Sequence, residues 1–253
     1  MAHSFRKKLI EGETLIGTLI TIPSPTVAEI MAHGGFDWLF IDMEHSSIKL
    51  QDAEGMNRAA NNQAHCIIRC PSNDEAWIKR CLDTGADGII LPRINTLEEA
   101  QYAVYHAKYP PVGNRSVGIS RAHGYGSTFN EYLDRANEDI ALIIQCEHRD
   151  ALDELNQMVA LDGIDAIFVG PYDLSASMNK IGQVEDPQVQ KAIGKILQVT
   201  KQAQKPLGIF ATTPTGIQKW HDEGFSLLAV GVDSALLASG GKHMLKQLNK
   251  THQ

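Results

Sequence analysis

Eight short apolar runs alternate with helix-like stretches along the 253 residues, and this order predicts a single (β/α)8 barrel. Three observations carry the prediction. The runs are nearly continuous in Ile, Val, Leu and Phe, as strands covered on both faces are. The segments between them show helical spacing and helix caps. Eight such units in about 250 residues match the length a barrel needs. A doubly wound open sheet is the alternative. It carries a Gly-rich turn after its first strand, and Pro23-Ser24-Pro25-Thr26 is not one.

The predicted strands lie at 15–21 (LIGTLIT), 38–42 (WLFID), 66–70 (CIIRC), 88–92 (GIILP), 140–145 (IALIIQ), 166–169 (AIFV), 207–211 (LGIFA) and 227–232 (LLAVGV). Thr26 is placed to cap a helix over 27–33, and Asn73 or Asp74 to open one over 75–84, stopped by Gly85. Thr96 with Glu99 three residues on forms a capping-box pattern before a helix over 97–108. Helices over 150–160, 187–201, 215–223 and 234–248 complete the set. Two connections, 109–138 and 172–186, exceed the usual loop length, which marks functional, interfacial or mobile segments. No linker or break in composition interrupts the chain, so residues 1–253 read as one barrel domain.

Composition narrows the function classes. The chain holds 43% hydrophobic and 21% charged residues, an ordinary globular balance. Lys and Arg number 23 against 30 Asp and Glu, a net charge of −7 without a basic block. That excludes non-specific nucleic-acid binding. No apolar run approaches the ~18–20 residues of a membrane span. The start, Met1-Ala2-His3-Ser4-Phe5-Arg6-Lys7-Lys8, lacks the apolar stretch of a secretory signal. Cys66, Cys70, Cys81 and Cys146 form no CxxC pair and read as reduced core thiols of a cytoplasmic protein.

Reactive groups of a barrel project from the carboxyl ends of its strands. Here those exits carry Asp42-Met43-Glu44-His45, Arg69, Arg93, Gln145-Cys146-Glu147, Gly170-Pro171-Tyr172-Asp173, Thr212-Thr213 and Asp233. Glu147 and Asp173 end adjacent predicted strands. Their carboxylates can converge on one hard cation such as Mg²⁺ or Mn²⁺, although Asp173 also reads as the start of a helix. His45 is the one histidine of ten at a strand exit flanked by acids, Asp42 and Glu44. Carboxylates beside an imidazole suit a general base; a loop histidine with an incidental acidic neighbour is the alternative. Arg69 can stabilise an enolate or carboxylate, or serve a structural ion pair. His65, His123 and His148 sit in polar or loop contexts. No lysine stands at a strand exit, since Lys79 lies within a helix and Lys205 precedes the seventh strand. This points away from Schiff-base chemistry. The 212–216 and 231–234 turns stand where barrels often hold an anion at a helix N-terminus.

These motifs resemble the HpcH/HpaI family of metal-dependent pyruvate aldolases. The resemblance runs over nearly the whole chain. It rests on Gly17-Thr18, Phe36-Asp37-Trp38, Ile41-Asp42-Met43-Glu44-His45, Ile68-Arg69 with Pro71, and Leu82-Asp83-Thr84-Gly85-Ala86. It continues with Ile90-Leu91-Pro92, Gly113-Asn114-Arg115-Ser116, Gln145-Cys146-Glu147 and Gly170-Pro171-Tyr172-Asp173-Leu174-Ser175. The resemblance implies a divalent ion on Glu147 and Asp173 (Mg²⁺ or Mn²⁺, with Co²⁺ a third candidate), chelated by pyruvate through its carboxylate and keto oxygen. It implies Arg69 at the enolate oxygen, His45 as base, and Gln145 at the substrate. It assigns Asp83 the task of raising the basicity of the histidine, and it implies a homo-oligomer, a hexamer of dimers or trimers. Asp83 falls near the end of a helix, away from the strand exits of its own barrel, so that task needs a neighbouring subunit; Asp83 otherwise only terminates its helix. Tyr172 stands where the family often has Ala, and Phe210 where an aliphatic residue is common. With 120–126, these bear on the aldehyde rather than on pyruvate.

The expected activity is class II aldol cleavage of a 4-hydroxy-2-oxo acid to pyruvate and a small aldehyde. The expected catalytic residues are His45, Arg69, Asp83 and Asp42. Gln145, Tyr172, Asp173 and Phe210 are expected to bind substrate, and Glu147 with Asp173 the metal. An oxaloacetate decarboxylase using the same enolate is one alternative, and a barrel that only binds a keto acid is another.

Overall fold

The computed structural model describes residues 4–60 and 63–248; the first three residues of the N-terminal stretch lie outside them. The apolar runs form β1 (Leu15–Ile20), β2 (Trp38–Asp42), β3 (His65–Arg69), β4 (Gly88–Leu91), β5 (Ala141–Cys146), β6 (Ala166–Val169), β7 (Leu207–Ala211) and β8 (Leu227–Val232). Neighbours pair in parallel and in sequence order, and β8 returns to β1. The closed barrel is therefore the predicted one, and the open sheet is excluded.

The helices are α1 (Phe5–Ile10), α2 (Pro25–His33), α3 (Leu50–Ala60), α4 (Glu75–Asp83), α5 (Leu97–Ala107), α6 (Phe129–Asp139), α7 (Ala151–Ala160), α8 (Pro171–Ser177), α9 (Pro187–Gln202), α10 (Pro214–Glu223) and α11 (Asp233–Gln247). Asp74 caps α4 through the amides of Ala76 and Trp77, and Thr96 with Glu99 closes the capping box of α5. Thr26 is not a cap. It lies inside α2, which starts at Pro25, where the missing N–H costs nothing. Both long connections hold structure. The first carries a 3-10 turn (Arg121–Gly126) and α6, and the second carries α8. None of the described helices is long and apolar enough to cross a membrane.

Two layers of core result. Inside the barrel, Trp38, Phe40, Ile67, Ile90, Ile143, Phe168 and Leu227 fill the lumen, and Phe5 and Leu9 of α1 close its floor. Phe5 and Leu9 sit one helical turn apart and are fully buried. Burying each such side chain contributes about 1.5–3 kcal/mol. The lumen's aromatic rings need glycine opposite them. A Cβ on Gly17 would stand 2.5 Å from the Trp38 indole, and one on Gly208 2.5 Å from the Phe168 ring. Strands and helices enclose the second layer, from Ile20 and Leu39 round to Ile209 and Leu228.

The floor carries a repeat in Gly35-Phe36-Asp37, Gly85-Ala86-Asp87 and Gly163-Ile164-Asp165. Each aspartate accepts the amide of a residue at the start of the preceding strand or next to it: Asp37 from Ile16 at 2.8 Å, Asp87 from Cys66 at 2.9 Å, Asp165 from Leu142 at 2.8 Å. The polar strand exits open at the other end.

Candidate active site

The site is built on the exits of β2, β3, β5 and β6. Asp42 ends β2 and is 1% exposed. Its Oδ1 accepts the amides of Glu44 (3.0 Å) and His45 (3.2 Å), which folds the loop that follows. The same carboxylate grips Arg69, the last residue of β3, by Nε to Oδ1 at 2.9 Å and Nη2 to Oδ2 at 2.7 Å. The Arg69 guanidinium lies 5.2 Å above the Phe40 ring. A fork held by two charge-assisted bonds and an aromatic face is fixed in direction. Glu44 Oε2 stands 3.3 Å from Arg69 Nε and 3.6 Å from His45 Nε2. The His45 side chain is 63% exposed and hangs at the rim.

Across the mouth, Gln145 and Glu147 are buried at the end of β5. Glu147 Oε1 accepts the backbone amide of Arg93 at 2.8 Å, and Oε2 accepts the side-chain amide of Gln145. Arg93 reaches this geometry in a left-handed backbone conformation (φ 54°), strained for a residue with a side chain. Burial pushes the Glu147 carboxyl up; the Gln145 and Arg93 hydrogen bonds oppose this, and the Asp173 charge adds to it. Gly170, at the exit of β6, makes room: a Cβ there would lie 2.7 Å from Glu147 Oε2. Asp173 follows in the first turn of α8.

Two small cavities meet at these carboxylates. One, about 160 Å³, is lined by His45, Arg69, Gln145, Tyr172, Asp173 and the apolar walls Leu19, Phe40, Phe168, Pro171 and Phe210. The other, about 120 Å³, is lined by Arg93, Glu147, His148, Asp173, Ala176 and Ser177. Larger surface hollows exist, such as 450 Å³ beside α7 and α9. They lack a converging set of base, cation and carboxylates, so size does not mark the site. Neither mouth cavity has a lysine among its lining residues.

The predicted residues thus gather at one mouth, with one exception. Asp83 ends α4, whose following residues reach Asp87 beside His65 at the floor. There Arg115 Nη2 donates to Asp83 Oδ1 at 2.6 Å, and the Arg115 guanidinium lies 4.7 Å from the Tyr109 ring and 5.7 Å from that of Tyr132. Within one chain Asp83 does not reach His45, as its sequence position predicted. Of the two anticipated anion turns, the one after β8 is corrected. Asp233 fills it, accepting the amides of Thr21 (3.0 Å), Ile22 (2.9 Å) and Ser234 (2.7 Å). Thr213 Oγ1 takes the Gly216 amide at the start of α10. Sequence reading missed the inward-facing Leu19, Phe40 and Phe168, which strand alternation could have marked. It also missed the Arg93 amide, for which a left-handed arginine gives no signal.

Residues 16–240 match the HpcH/HpaI aldolase/citrate lyase family. The chain belongs to this family. Among curated relatives, the hydroxypyruvate/pyruvate aldolase of Roseobacter denitrificans is 39% identical over 243 residues, covering 95% of this chain and 94% of its own. The 4-hydroxy-2-oxovalerate aldolase of Rhodococcus jostii is 38% identical, over 93% of this chain and 92% of its own. The crystal structure of an HpcH/HpaI aldolase/citrate lyase family protein from Burkholderia cenocepacia superposes with a TM-score of 0.93 at 32% identity, covering 96% of this chain and 98% of that one. The (β/α)8 barrel is thus the family's own fold.

Proposed function

We propose that this chain is a class II, divalent-metal-dependent carbon–carbon lyase that reversibly cleaves a 4-hydroxy-2-oxo acid to pyruvate and an aldehyde. One observation carries the reading. Buried Glu147 and rim-side Asp173 line one cavity, and Asp173 also lines the adjoining cavity with His45, Arg69 and Gln145.

The residues present fit a hard cation. Glu147 and Asp173 supply carboxylate oxygens, and buried Gln145 Oε1 has no hydrogen-bond partner. Among the described residues no cluster of three or more His, Cys, Asp or Glu could hold a metal. Two carboxylates with water and substrate oxygens as remaining ligands suit Mg²⁺ or Mn²⁺, with Co²⁺ the third candidate. When bound, such an ion supplies a Lewis acid at the 2-oxo group.

The chain's own residues do the rest. His45 takes the proton of the C4 hydroxyl. As the C3–C4 bond breaks, negative charge moves onto the C2 oxygen, where the fixed Arg69 guanidinium meets it. A cation aimed at charge that appears only as the bond breaks favours the transition state over the bound substrate. Gln145 orients the oxo acid. In cleavage the proton held on His45 returns to C3 of the enolate, which completes pyruvate; in the reverse direction Phe40, Phe168, Leu19 and Phe210 keep water from the enolate until it meets an aldehyde. Phe210 and Tyr172 bound the aldehyde end.

The same reading includes assembly. Fourteen of the 15 residues of α11, all but Asp233, lie exposed, Leu237 and Met244 at 71% and 66%. Ile16 of β1 faces outward at 42% exposure, where the other strands' outer faces are covered. A helix without a floor beside a strand without a cover fits a homo-oligomer, with the hexamer implied by the family. The net charge of −7 and four buried free thiols suit a cytoplasmic enzyme acting on small acids, without nucleic-acid or membrane partners.

The test is retro-aldol turnover of 4-hydroxy-2-oxovalerate with Mg²⁺, Mn²⁺ or Co²⁺, with oxaloacetate run alongside. Metal-dependent release of pyruvate and aldehyde is expected. Full turnover in EDTA after dialysis would overturn the metal reading. Decarboxylation of oxaloacetate without aldol cleavage would replace the reaction.

A further inference from the structure

The base does not stand alone within its own chain. The Glu44 side chain is partly buried, 12% exposed, and its Oε2 lacks a hydrogen-bond partner. That oxygen lies 3.6 Å from His45 Nε2, beyond a hydrogen bond but well inside ion-pair range, and 3.3 Å from Arg69 Nε. Arg69 does not need it, because both oxygens of Asp42 already hold the guanidinium. The loop does not need it either, because Asp42 fixes the amides of residues 44 and 45. A carboxylate withdrawn from water is costly unless paired; Arg69, already held by Asp42, and the His45 ring are the two groups in reach of Glu44, and His45 is the one not otherwise fixed.

We infer that Glu44 is a positioning residue that holds the His45 ring at the cavity mouth and stabilises the imidazolium formed when His45 takes the substrate proton. The inference rests on the proposed role of His45 as base. The charged and titratable groups around the imidazole are Glu44, Asp42 and Arg69 from its own side of the mouth, and Asp173 and Tyr172 from α8. Glu147 acts one step away, since its charge, after burial, helps push the Glu44 carboxyl up, while Arg69 and His45 oppose. The imidazolium formed by proton transfer therefore favours the ionised form of Glu44. Glu44 acts in a single chain, whereas Asp83 can act only across an interface.

The test compares Glu44→Gln, Glu44→Asp, His45→Ala and the unaltered enzyme, each loaded with Mn²⁺, in cleavage of 4-hydroxy-2-oxovalerate. In Glu44→Gln kcat should fall about tenfold, the scale of a lost supporting carboxylate, with KM and Mn²⁺ affinity within about twofold, and Glu44→Asp should recover part of the loss. A Glu44→Gln kcat that matches the unaltered enzyme, while His45→Ala is inactive, overturns the inference and leaves the base intact. Loss of Mn²⁺ binding in Glu44→Gln also overturns it. A fully active His45→Ala defeats the base reading itself.

Discussion

Asp42 holds Arg69 through both carboxylate oxygens, at 2.9 and 2.7 Å, while its Oδ1 also gathers the amides of Glu44 and His45. One buried side chain therefore sets both the Arg69 guanidinium and the His45 loop. Asp42→Ala leaves Arg69 buried beside Glu44 alone. Removing one partner of such a pair costs about 3–5 kcal/mol, so its urea midpoint should drop clearly. Arg69→Lys should keep the midpoint near native but lose the fork. Its kcat should fall ~10²–10³-fold, the scale of one lost oxyanion donor. A near-native kcat would remove Arg69 from the chemistry.

Metal affinity should depend on a residue that touches no metal. A methyl group at position 170 would stand 2.7 Å from Glu147 Oε2 and 3.2 Å from the Gln145 amide nitrogen. Gly170→Ala should therefore push Glu147 off its two hydrogen bonds and weaken Mn²⁺ binding about 10–100-fold, as lost outer-shell support does. Glu147→Ala and Asp173→Ala should abolish both binding and turnover. Mn²⁺ titration followed by EPR measures all three; unchanged affinity in Gly170→Ala would show that Glu147 is not a ligand.

The barrel was legible because most strand residues are buried on both faces and α4, α5, α9 and α10 carry side-chain caps, so local signals and fold agree. What escaped was structure without that signal. α3 buries Ala53, Met56 and Ala60, and with two alanines among the three the apolar period is faint in the sequence. α1 is six residues long, and its Phe5 and Leu9 gain meaning only once a barrel floor exists to receive them. The site was legible as a set, since polar residues at strand exits must share one rim. Its inner arrangement was not. That Asp42 serves Arg69, that Asp233 clamps the β1 exit, and that Arg93 offers a backbone amide all depend on distances across the mouth.

Aldehyde preference should follow Phe210, an apolar wall of the 160 Å³ cavity that His45 and Tyr172 also line. Phe210→Leu opens space there without adding a polar group. Rates with long-chain aldehydes should rise relative to short ones, by a shape term of about 1–3 kcal/mol. Competitive condensation of pyruvate with a short and a long aldehyde gives the ratio. An unchanged ratio would place the aldehyde elsewhere.

Stability should fall on the alkaline side. Burial pushes the Cys66 and Cys70 thiols up, and that of Cys146 up to about 12. Burial also raises the Tyr109 hydroxyl to about 12. In the unfolded chain a thiol loses its proton near pH 8.5. Above that pH the folded state holds more protons than the unfolded one, so stability is present below pH 8.5 and is lost as pH rises. Lys108 opposes this. Burial lowers its ammonium to about 8, so between there and about 10.4 it favours folding as pH rises. Each fully shifted group contributes about 1.4 kcal/mol per pH unit, and three thiols outweigh one lysine. The urea midpoint should therefore drop from pH 8 to pH 10, and Cys146→Ala should flatten the slope. A midpoint that rises with pH would reverse the sign.

Asp83 is where assembly and catalysis meet. It ends α4 on the floor side, and Arg115, wedged against Tyr109 and Tyr132, takes one of its oxygens at 2.6 Å. The Asp83 side chain keeps 26% exposure. Beside it, the 109–138 connection exposes Val117 (54%), Ile119 (73%) and Tyr125 (64%), apolar groups that a monomer would hide. A neighbouring rim seated on this patch would bring Asp83 toward that neighbour's His45. In the proposed oligomer the exposed apolar residues of α11 would give a second, separate contact. Breaking the two contacts should then give different results. Ile119→Asp should cut kcat sharply and return Asp83→Asn to near-silence, because the carboxylate no longer reaches a histidine. Leu237→Asp with Met244→Asp should lower the oligomer mass by light scattering before it touches kcat. In the intact assembly Asp83→Asn alone should lower kcat about tenfold or more, the scale of a lost supporting carboxylate. An active monomer, or an Asp83→Asn enzyme with native kcat and pH profile, would confine Asp83 to ending its helix.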